Sequence, residues 1–250
     1  MPLRLQGRTA LVTGSTDGIG AGIARVLAAE GAHVIVTGRD EIRGTKVADE
    51  ITGSGGAATF VRADLSHGKG VRDLAGAAQA IADGPPGILV NNAAMLIAPG
   101  PTGEAGEELI DAALAVNVKA VILLTGLIAP GMAARGHGAI VNLGSINGLS
   151  GMAGSALYSA TKAAIHSLTK SWSDEYGPAG VRVNTVAPGP TVTEKTAALA
   201  GRIAPIIARV PSRRASTPEE VGRAVAFLAS DDASNIHGAT LPVDGGRSAI

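Results

Sequence analysis

Tyr158 and Lys162 stand four residues apart in the run Tyr158-Ser159-Ala160-Thr161-Lys162, inside a stretch of helical pattern. At that spacing both side chains project from one helix face. A free tyrosine, with a pKa near ~10, is a poor acid–base group at neutral pH. A lysine ammonium beside it stabilises the phenolate and lowers that pKa. Such a pair could give a proton to a carbonyl oxygen, or take one from an alcohol, while hydride moves to or from a nicotinamide. The spacing alone equally describes an ordinary pair on a helix surface. Two features lift it above that: the chain has only 2 tyrosines, and Ser145 lies just past the end of an apolar strand, where its hydroxyl could hold a substrate oxygen.

A second constellation lies near the N-terminus. A first apolar run leads into Thr13-Gly14-Ser15-Thr16-Asp17-Gly18-Ile19-Gly20 and then a helical pattern. Glycines there allow a tight turn and let backbone N–H groups approach a pyrophosphate, whose charge the helix N-terminus favours. The spacing is G-x3-G-x-G rather than the more familiar G-x-G-x-x-G. The second strand ends in Gly38-Arg39. An acidic residue near this point would bind a ribose 2′-OH, whereas an arginine accommodates a 2′-phosphate. Arg39 therefore favours NADP(H) over NAD(H). Asp17 argues the other way, because a carboxylate in the glycine turn would repel a 2′-phosphate.

Both constellations need a frame. Short β-branched runs at Thr9–Thr13, His33–Thr37, Ala57–Arg62, Gly87–Asn91, Gly138–Leu143, Val181–Ala187 and Thr240–Val243 read as strands. Between them lie helical stretches at Ile19–Glu30, Glu41–Ile51, Gly70–Ala82, Leu109–Arg135, Ala156–Tyr176 and Glu219–Ala229. Strands apolar on both sides of the chain suggest burial on both faces. The alternation predicts an α/β fold: one doubly wound, Rossmann-like parallel sheet of about seven strands with helices on both faces. No repeat, linker or shift in composition divides residues 1–250. The segment Gly189–Ser212, with prolines at 190, 205 and 211, reads as a loop with a short helix that could serve as a substrate lid.

Composition narrows the function classes. Lysines plus arginines and aspartates plus glutamates each number 21, so no global field draws in nucleic acid or an anionic membrane. Aromatic residues make up 2% of the chain, which leaves little to stack on bases. There is no cysteine, and the histidines (His33, His67, His137, His166, His237) are scattered, so no metal site is expected. The N-terminal residues do not read as a signal peptide, and no run reaches the ~18 apolar residues of a membrane span. A cytoplasmic protein with a small-molecule substrate is expected.

Along nearly its whole length, from Gly7-Arg8-Thr9-Ala10-Leu11-Val12-Thr13-Gly14 to Val243-Asp244-Gly245-Gly246, the chain resembles the short-chain dehydrogenase/reductase family, in its branch of ~250 residues. The family's T-G-x3-G-x-G turn matches residues 13–20. The resemblance implies cofactor contacts from Gly14, Thr16, Asp17, Gly18, Ile19, Gly20, Arg39, Asp64, Leu65, Asn91, Ala93, Tyr158, Lys162, Pro188, Gly189 and Thr193. It also implies a catalytic tetrad. In it Asn117 holds a water of the proton relay, Ser145 orients the substrate carbonyl, Tyr158 is the acid–base, and Lys162 binds the nicotinamide ribose while lowering the tyrosine pKa. Three positions depart from the family pattern. Ala94 replaces a glycine and would push the following loop outward, Gly144 stands where a serine is frequent, and Thr191 replaces an isoleucine. Family members pair through two long helices, here about 105–134 and 155–176, so a homodimer or tetramer is expected.

The segments that would line the substrate pocket (Met95-Leu96-Ile97, Ile146-Asn147-Gly148, Leu149 to Gly154 and the lid) are mostly apolar. A neutral, apolar carbonyl or secondary alcohol follows. The lid's Arg202, Arg209, Arg213 and Arg214 either form a solvated face or meet the phosphates of a 3-oxoacyl thioester carried on acyl-carrier protein or coenzyme A. A non-catalytic dinucleotide sensor is the alternative from another class, but a sensor has no need of an activated phenol. An enoyl reductase is disfavoured, because family members of that kind space the tyrosine and lysine further apart.

Overall fold

The apolar runs form seven strands: β1 Thr9–Val12, β2 His33–Gly38, β3 Ala57–Arg62, β4 Ile88–Asn91, β5 Gly138–Leu143, β6 Val181–Pro188 and β7 Thr240–Val243. They build one sheet in the order β3-β2-β1-β4-β5-β6-β7, every neighbouring pair parallel. In this computed structural model residues 3–197 and 200–250 are described, apart from the side chains of Lys195, Ala197 and residues 200–203. Strands β4, β5 and β6 are buried at every position, as their unbroken apolar sequences require, while the edge strands β3 and β7 are half covered.

Alternate residues serve two cores. Val34, Val36, Val90 and Val141 pack with α1 (Gly18–Ala29), α2 (Glu41–Gly53) and α9 (Pro218–Ala229). Leu11, Ile35, Leu89 and Ile140 face α3 (Gly68–Ile81), α5 (Ala120–Arg135) and α6 (Ala156–Tyr176). Helix ends follow local chemistry. Thr217 caps α9 in a reciprocal box with Glu220, with Pro218 in the first turn. The chain leaves β1 for β2 in one direction and enters β4 on the other side of β1. Between β1 and β4 the connections diverge and open a crevice at the C-terminal ends of the strands.

The expected single helix over Leu109–Arg135 is broken. Helix α4 spans Glu107–Leu114, a wider π-helical turn covers Ala115–Lys119, and α5 follows. The cause sits at the centre of the wide turn. Asn117 is buried and its side-chain amide engages both backbone groups of Met95, at 2.6 Å and 3.1 Å, which draws the turn toward the loop after β4. By length and apolar composition the run Glu107–Arg135 would suit a membrane, and part of it is buried, α5 packing against α3, α6 and the sheet. The segment after β6, where a lid is expected, holds two short helices rather than one, α7 Glu194–Ala197 and α8 Ala200–Ile207. Its base is tied down by a bridge between Thr191 and Ser216.

Candidate active site

At the end of β1 the glycine turn is shaped by what is missing. Gly14 has φ +63°, and a Cβ there would lie 2.8 Å from Ala93 Cα; a Cβ on Gly20 would overlap the Gly14 carbonyl oxygen. Thr13 Oγ1 accepts from the backbone N–H groups of Asn92 and Ala93, both at 3.0 Å. The Asn92 amide donates in return to the carbonyls of Thr13 (2.8 Å) and Gly14 (3.0 Å). The turn after β1 and the loop after β4 are thus sewn together. Helix α1 has no acidic residue in its first turn. Its N-terminal N–H groups and dipole are therefore available to an anion.

At the end of β2, Arg39 is exposed, and its charge helps hold the Asp64 carboxyl below its ordinary range, behind the larger effect of the hydrogen bonds from Ser66. Asp17 forms an ion pair with Arg43 (3.1 Å), which also binds Asp40 at 2.7 Å. Sequence reasoning passed over Arg43. Its signal was present, since Asp40 caps α2 and a residue three positions on must swing back over the strand end.

At the end of β5, Ser145 is 8% exposed with extended backbone, and its Oγ accepts from the Asn147 N–H at 3.1 Å. Helix α6 brings Tyr158 and Lys162 beside it, with Lys162 Nζ 5.7 Å from the centre of the Tyr158 ring. Lys162 is 4% exposed and donates to the Leu143 carbonyl at 2.8 Å. Burial lowers its pKa to about 8. The expected depression of the Tyr158 pKa is corrected. Burial raises the phenol above its ordinary value, and the Ser145 hydroxyl offsets only part of that rise. Lys162 does not reverse the rise that burial causes.

These three places line one cleft of about 1720 Å³, beyond the ~300–1,000 Å³ usual for small ligands and roomy enough for a dinucleotide with a substrate. The glycine cradle at one end, with Arg39 and Arg43 also lining the cleft, fits the phosphates of such a cofactor. Gly14, Thr16, Asp17, Gly18, Ile19 and Gly20 lie along its floor, with Arg39, Asp64, Leu65 and Ala93 beside them. Ser145, Tyr158, Lys162, Pro188, Gly189 and Thr193 line the other half, and Thr193 sits over Gly18.

Two expected residues lie elsewhere. Asn91 is buried in the sheet, donating to Thr125 Oγ1 (3.2 Å) and Asn142 Oδ1 (2.8 Å), so its side chain serves the core and Asn92 takes the place at the cleft. Asn117 sits behind the wall. Both its amide hydrogens are used, by the Met95 carbonyl and Thr161 Oγ1 (3.3 Å), so its side chain clamps the loop rather than offering them to a water. Ala94 is exposed and outside the left-handed region, so alanine replaces glycine there without strain. Thr191 is buried and donates to the Gly189 carbonyl at 3.1 Å.

Apolar side chains of Leu96, Leu149, Met152 and Ile206 line the open side, as expected. Arg209 also lines it, whereas Arg214 pairs with Glu220 and Arg213 with the Ala208 carbonyl; the side chain of Arg202 is outside the described residues. Arg247, Ser248 and Ile250 form part of the wall, a contribution not foreseen. Since β7 runs parallel to the rest, the chain after it has to leave at the edge where the cleft opens. Among the described residues there is no cluster of three potential metal ligands.

The profile of a family described as Enoyl-(Acyl carrier protein) reductase matches residues 14–248. The chain belongs to the short-chain dehydrogenase/reductase family. It is 40% identical to the cis-4-hydroxycyclohexanecarboxylate dehydrogenase of Sinomonas cyclohexanicum, over 97% of each chain. It is 39% identical to the oxidoreductase UcpA of Salmonella typhimurium, over 98% of this chain and 96% of that one. Among solved structures, one described as a putative NAD(P)-dependent gluconate 5-dehydrogenase of Beutenbergia cavernae, with NADP bound at low occupancy, superposes with a TM-score of 0.93 at 43% identity, over 100% of both chains. The protein is an NAD(P)-dependent oxidoreductase that interconverts a carbonyl and an alcohol.

Proposed function

We propose that the protein is an NADP(H)-dependent carbonyl reductase, or in reverse a secondary-alcohol dehydrogenase, with Ser145, Tyr158 and Lys162 as its catalytic residues. The observation that carries this reading is the meeting of those three side chains at the end of β5, in the same cleft as the glycine turn. When bound, the nicotinamide supplies or accepts the hydride. Ser145 Oγ holds the substrate oxygen. Tyr158 Oη gives that oxygen its proton during reduction and removes it during oxidation. A phenol kept protonated by burial is suited to the reductive direction. Lys162 places a cation near the phenolate that forms and has two further N–H groups to offer a ribose. Asn117 acts as a positioning residue that fixes the loop at Met95.

For the cofactor, Arg39 and Arg43 support NADP(H), since Arg43 neutralises the carboxylate that would repel a 2′-phosphate. The solved relative from Beutenbergia cavernae also holds NADP, at low occupancy. The remaining residues in contact with it are read as Gly14, Thr16, Gly18, Ile19, Gly20, Asp64, Leu65, Ala93, Pro188, Gly189 and Thr193. A cytoplasmic homo-oligomer is proposed, supported by the exposed Leu114, Ile122 and Leu127 along the α4–α5 run.

The apolar wall favours an apolar substrate body. Arg209 in the cleft favours a second reading, in which that body carries an anion, as a 3-oxoacyl thioester does in its carrier phosphates. Initial rates with NADPH and NADH against cyclohexanone, 4-oxocyclohexanecarboxylate and acetoacetyl-CoA separate these readings. Turnover of cyclohexanone with NADPH is expected. A clear NADH preference would remove the role given to the arginines, and no turnover of any ketone would remove the reductase.

A further inference from the structure

Helix α6 presents Tyr158, Lys162 and His166 on successive turns of one face. The first two belong to the chemistry proposed above. His166 is buried like Lys162, at 6% exposure, and that chemistry does not use it. Its Nε2 lies 3.0 Å from the Ser145 carbonyl oxygen, and its Nδ1 lies 3.2 Å from Thr240 Oγ1 on β7. A carbonyl can only accept, so Nε2 carries a hydrogen, and neutral Nδ1 accepts from the threonine hydroxyl. Burial, together with the Lys162 and Lys170 cations, holds the imidazole below its ordinary pKa and so keeps it neutral.

The contact falls in an ordered series. Lys162 holds the Leu143 carbonyl and His166 holds the Ser145 carbonyl, so consecutive helical turns grip alternate carbonyls at the strand end. The Gly148 N–H is the second donor to the Ser145 oxygen, at 3.0 Å. Two donors fix the peptide plane, and with it the direction in which the Ser145 Cβ leaves the chain. The surrounding space agrees. A Cβ on Gly144 would come within 2.6 Å of His166 Cε1, and one on Gly148 within 2.6 Å of His166 Cδ2. The imidazole fills the volume that a side chain at either position would need. Gly144 is therefore the counterpart of His166, which gives its departure from serine a physical reason.

We propose that His166 is a positioning residue whose imidazole, wedged between Gly144 and Gly148, holds the Ser145 carbonyl and thereby aims the Ser145 hydroxyl at the substrate oxygen. This rests on the catalytic reading of Ser145 and Tyr158. In His166→Leu, kcat for the best ketone of the panel should fall on the order of ten- to a hundredfold, the scale of a catalytic group displaced by a fraction of an ångström. The Kd for NADPH, followed by its fluorescence, should not move. His166→Gln can still donate to Ser145 and accept from Thr240, so it should recover most of kcat. Wild-type kcat in His166→Leu overturns the proposal. So does a parallel loss of NADPH affinity, or a glutamine variant as impaired as the leucine one. If His166→Leu does not fold, Gly144→Ser decides the matter. It should push the ring off the carbonyl and lower kcat with the Kd for NADPH unchanged, and the Gly144→Ser/His166→Ala double variant, which lacks the ring, should be no faster; full kcat in Gly144→Ser overturns the idea. Tyr158→Phe is the control: turnover there removes the underlying reading, whereas an inactive Tyr158→Phe beside a fully active His166→Leu removes only the role of His166.

Discussion

The two ends of the cleft are built on different principles. At the glycine turn the site is made by missing atoms: Gly14 and Gly20 let two loops and a helix end meet, and main-chain groups line the space left. The charged residues there, Arg39, Arg43, Asp17 and Asp40, sit at the surface. At the end of β5 the site is made with buried side chains stacked along α6, Lys162, His166 and Thr169, each tied to a carbonyl or hydroxyl of the neighbouring strands or the turn after β5. Damage at the first end should therefore appear as lost cofactor affinity. At the second end it should appear as lost turnover or altered stability.

The largest separation is expected from Tyr158→Phe. Deleting the phenolic oxygen removes the group that moves the proton, a loss on the order of 10²–10⁴ in kcat, while the cofactor is still bound. Gly20→Ala is its mirror image, because the added methyl overlaps the Gly14 carbonyl and the NADPH complex should fail to form. Titrating NADPH fluorescence with each variant checks both. If Tyr158→Phe lost affinity and kept kcat, the division between the two ends would collapse.

Lys162 sharpens the comparison through stability. Its folded-state pKa, about 8, lies below its ordinary value of 10.5. Between those values the unfolded chain binds more protons, so this group makes stability rise with pH. Below pH 8 the burial penalty is present in full, roughly 3 kcal/mol from the shift, offset by about 1 kcal/mol for the hydrogen bond to Leu143. Lys162→Met should therefore abolish turnover and yet raise the melting temperature at pH 7, with the advantage shrinking between pH 8 and 10.5. Thermal melts of both chains across that range test it, and a methionine variant less stable at pH 7 contradicts it.

How far each end could be read from sequence follows the same division. The glycine turn was legible because glycine spacing reports backbone shape directly, and the strands were legible because burial on both faces leaves unbroken apolar runs. Asn91 and Asn92 were not separable: adjacent residues on a strand end point to opposite sides, and only register says which one meets the cleft. The break at Asn117 was hidden because a π turn leaves the apolar pattern intact and its cause, Met95, is a tertiary contact. Arg247 was hidden because nothing in the terminal residues marks them as wall. The direction of the Tyr158 shift was missed since spacing gives the lysine's place on the helix but neither the distance nor the burial that opposes it.

Smaller effects are expected at the surface. Arg39→Ala and Arg43→Ala should each raise the KM for NADPH, by about tenfold if each supplies a charged hydrogen bond, and leave kcat and the KM for NADH nearly unchanged. An equal loss for both cofactors would assign these arginines to general binding instead of the 2′-phosphate.

Asp17→Asn should give the smallest change and the most informative one. Arg43 divides its guanidinium between Asp17 and Asp40. Neutralising Asp17 removes one of these partners together with the negative charge nearest the glycine turn, so more of Arg43 is left to a 2′-phosphate. Exposed pairs are weak and screened by salt, so the gain in NADPH over NADH should be only a few-fold and should fade as ionic strength rises. The Arg43→Ala background supplies the sign. Without Arg43 the Asp17 carboxylate loses that ion pair, so Asp17→Asn should then favour NADPH by more than it does in the wild-type chain. An identical gain in both backgrounds would mean that Arg43 and Asp17 act on the cofactor independently, and the ion pair between them would have no part in its selection.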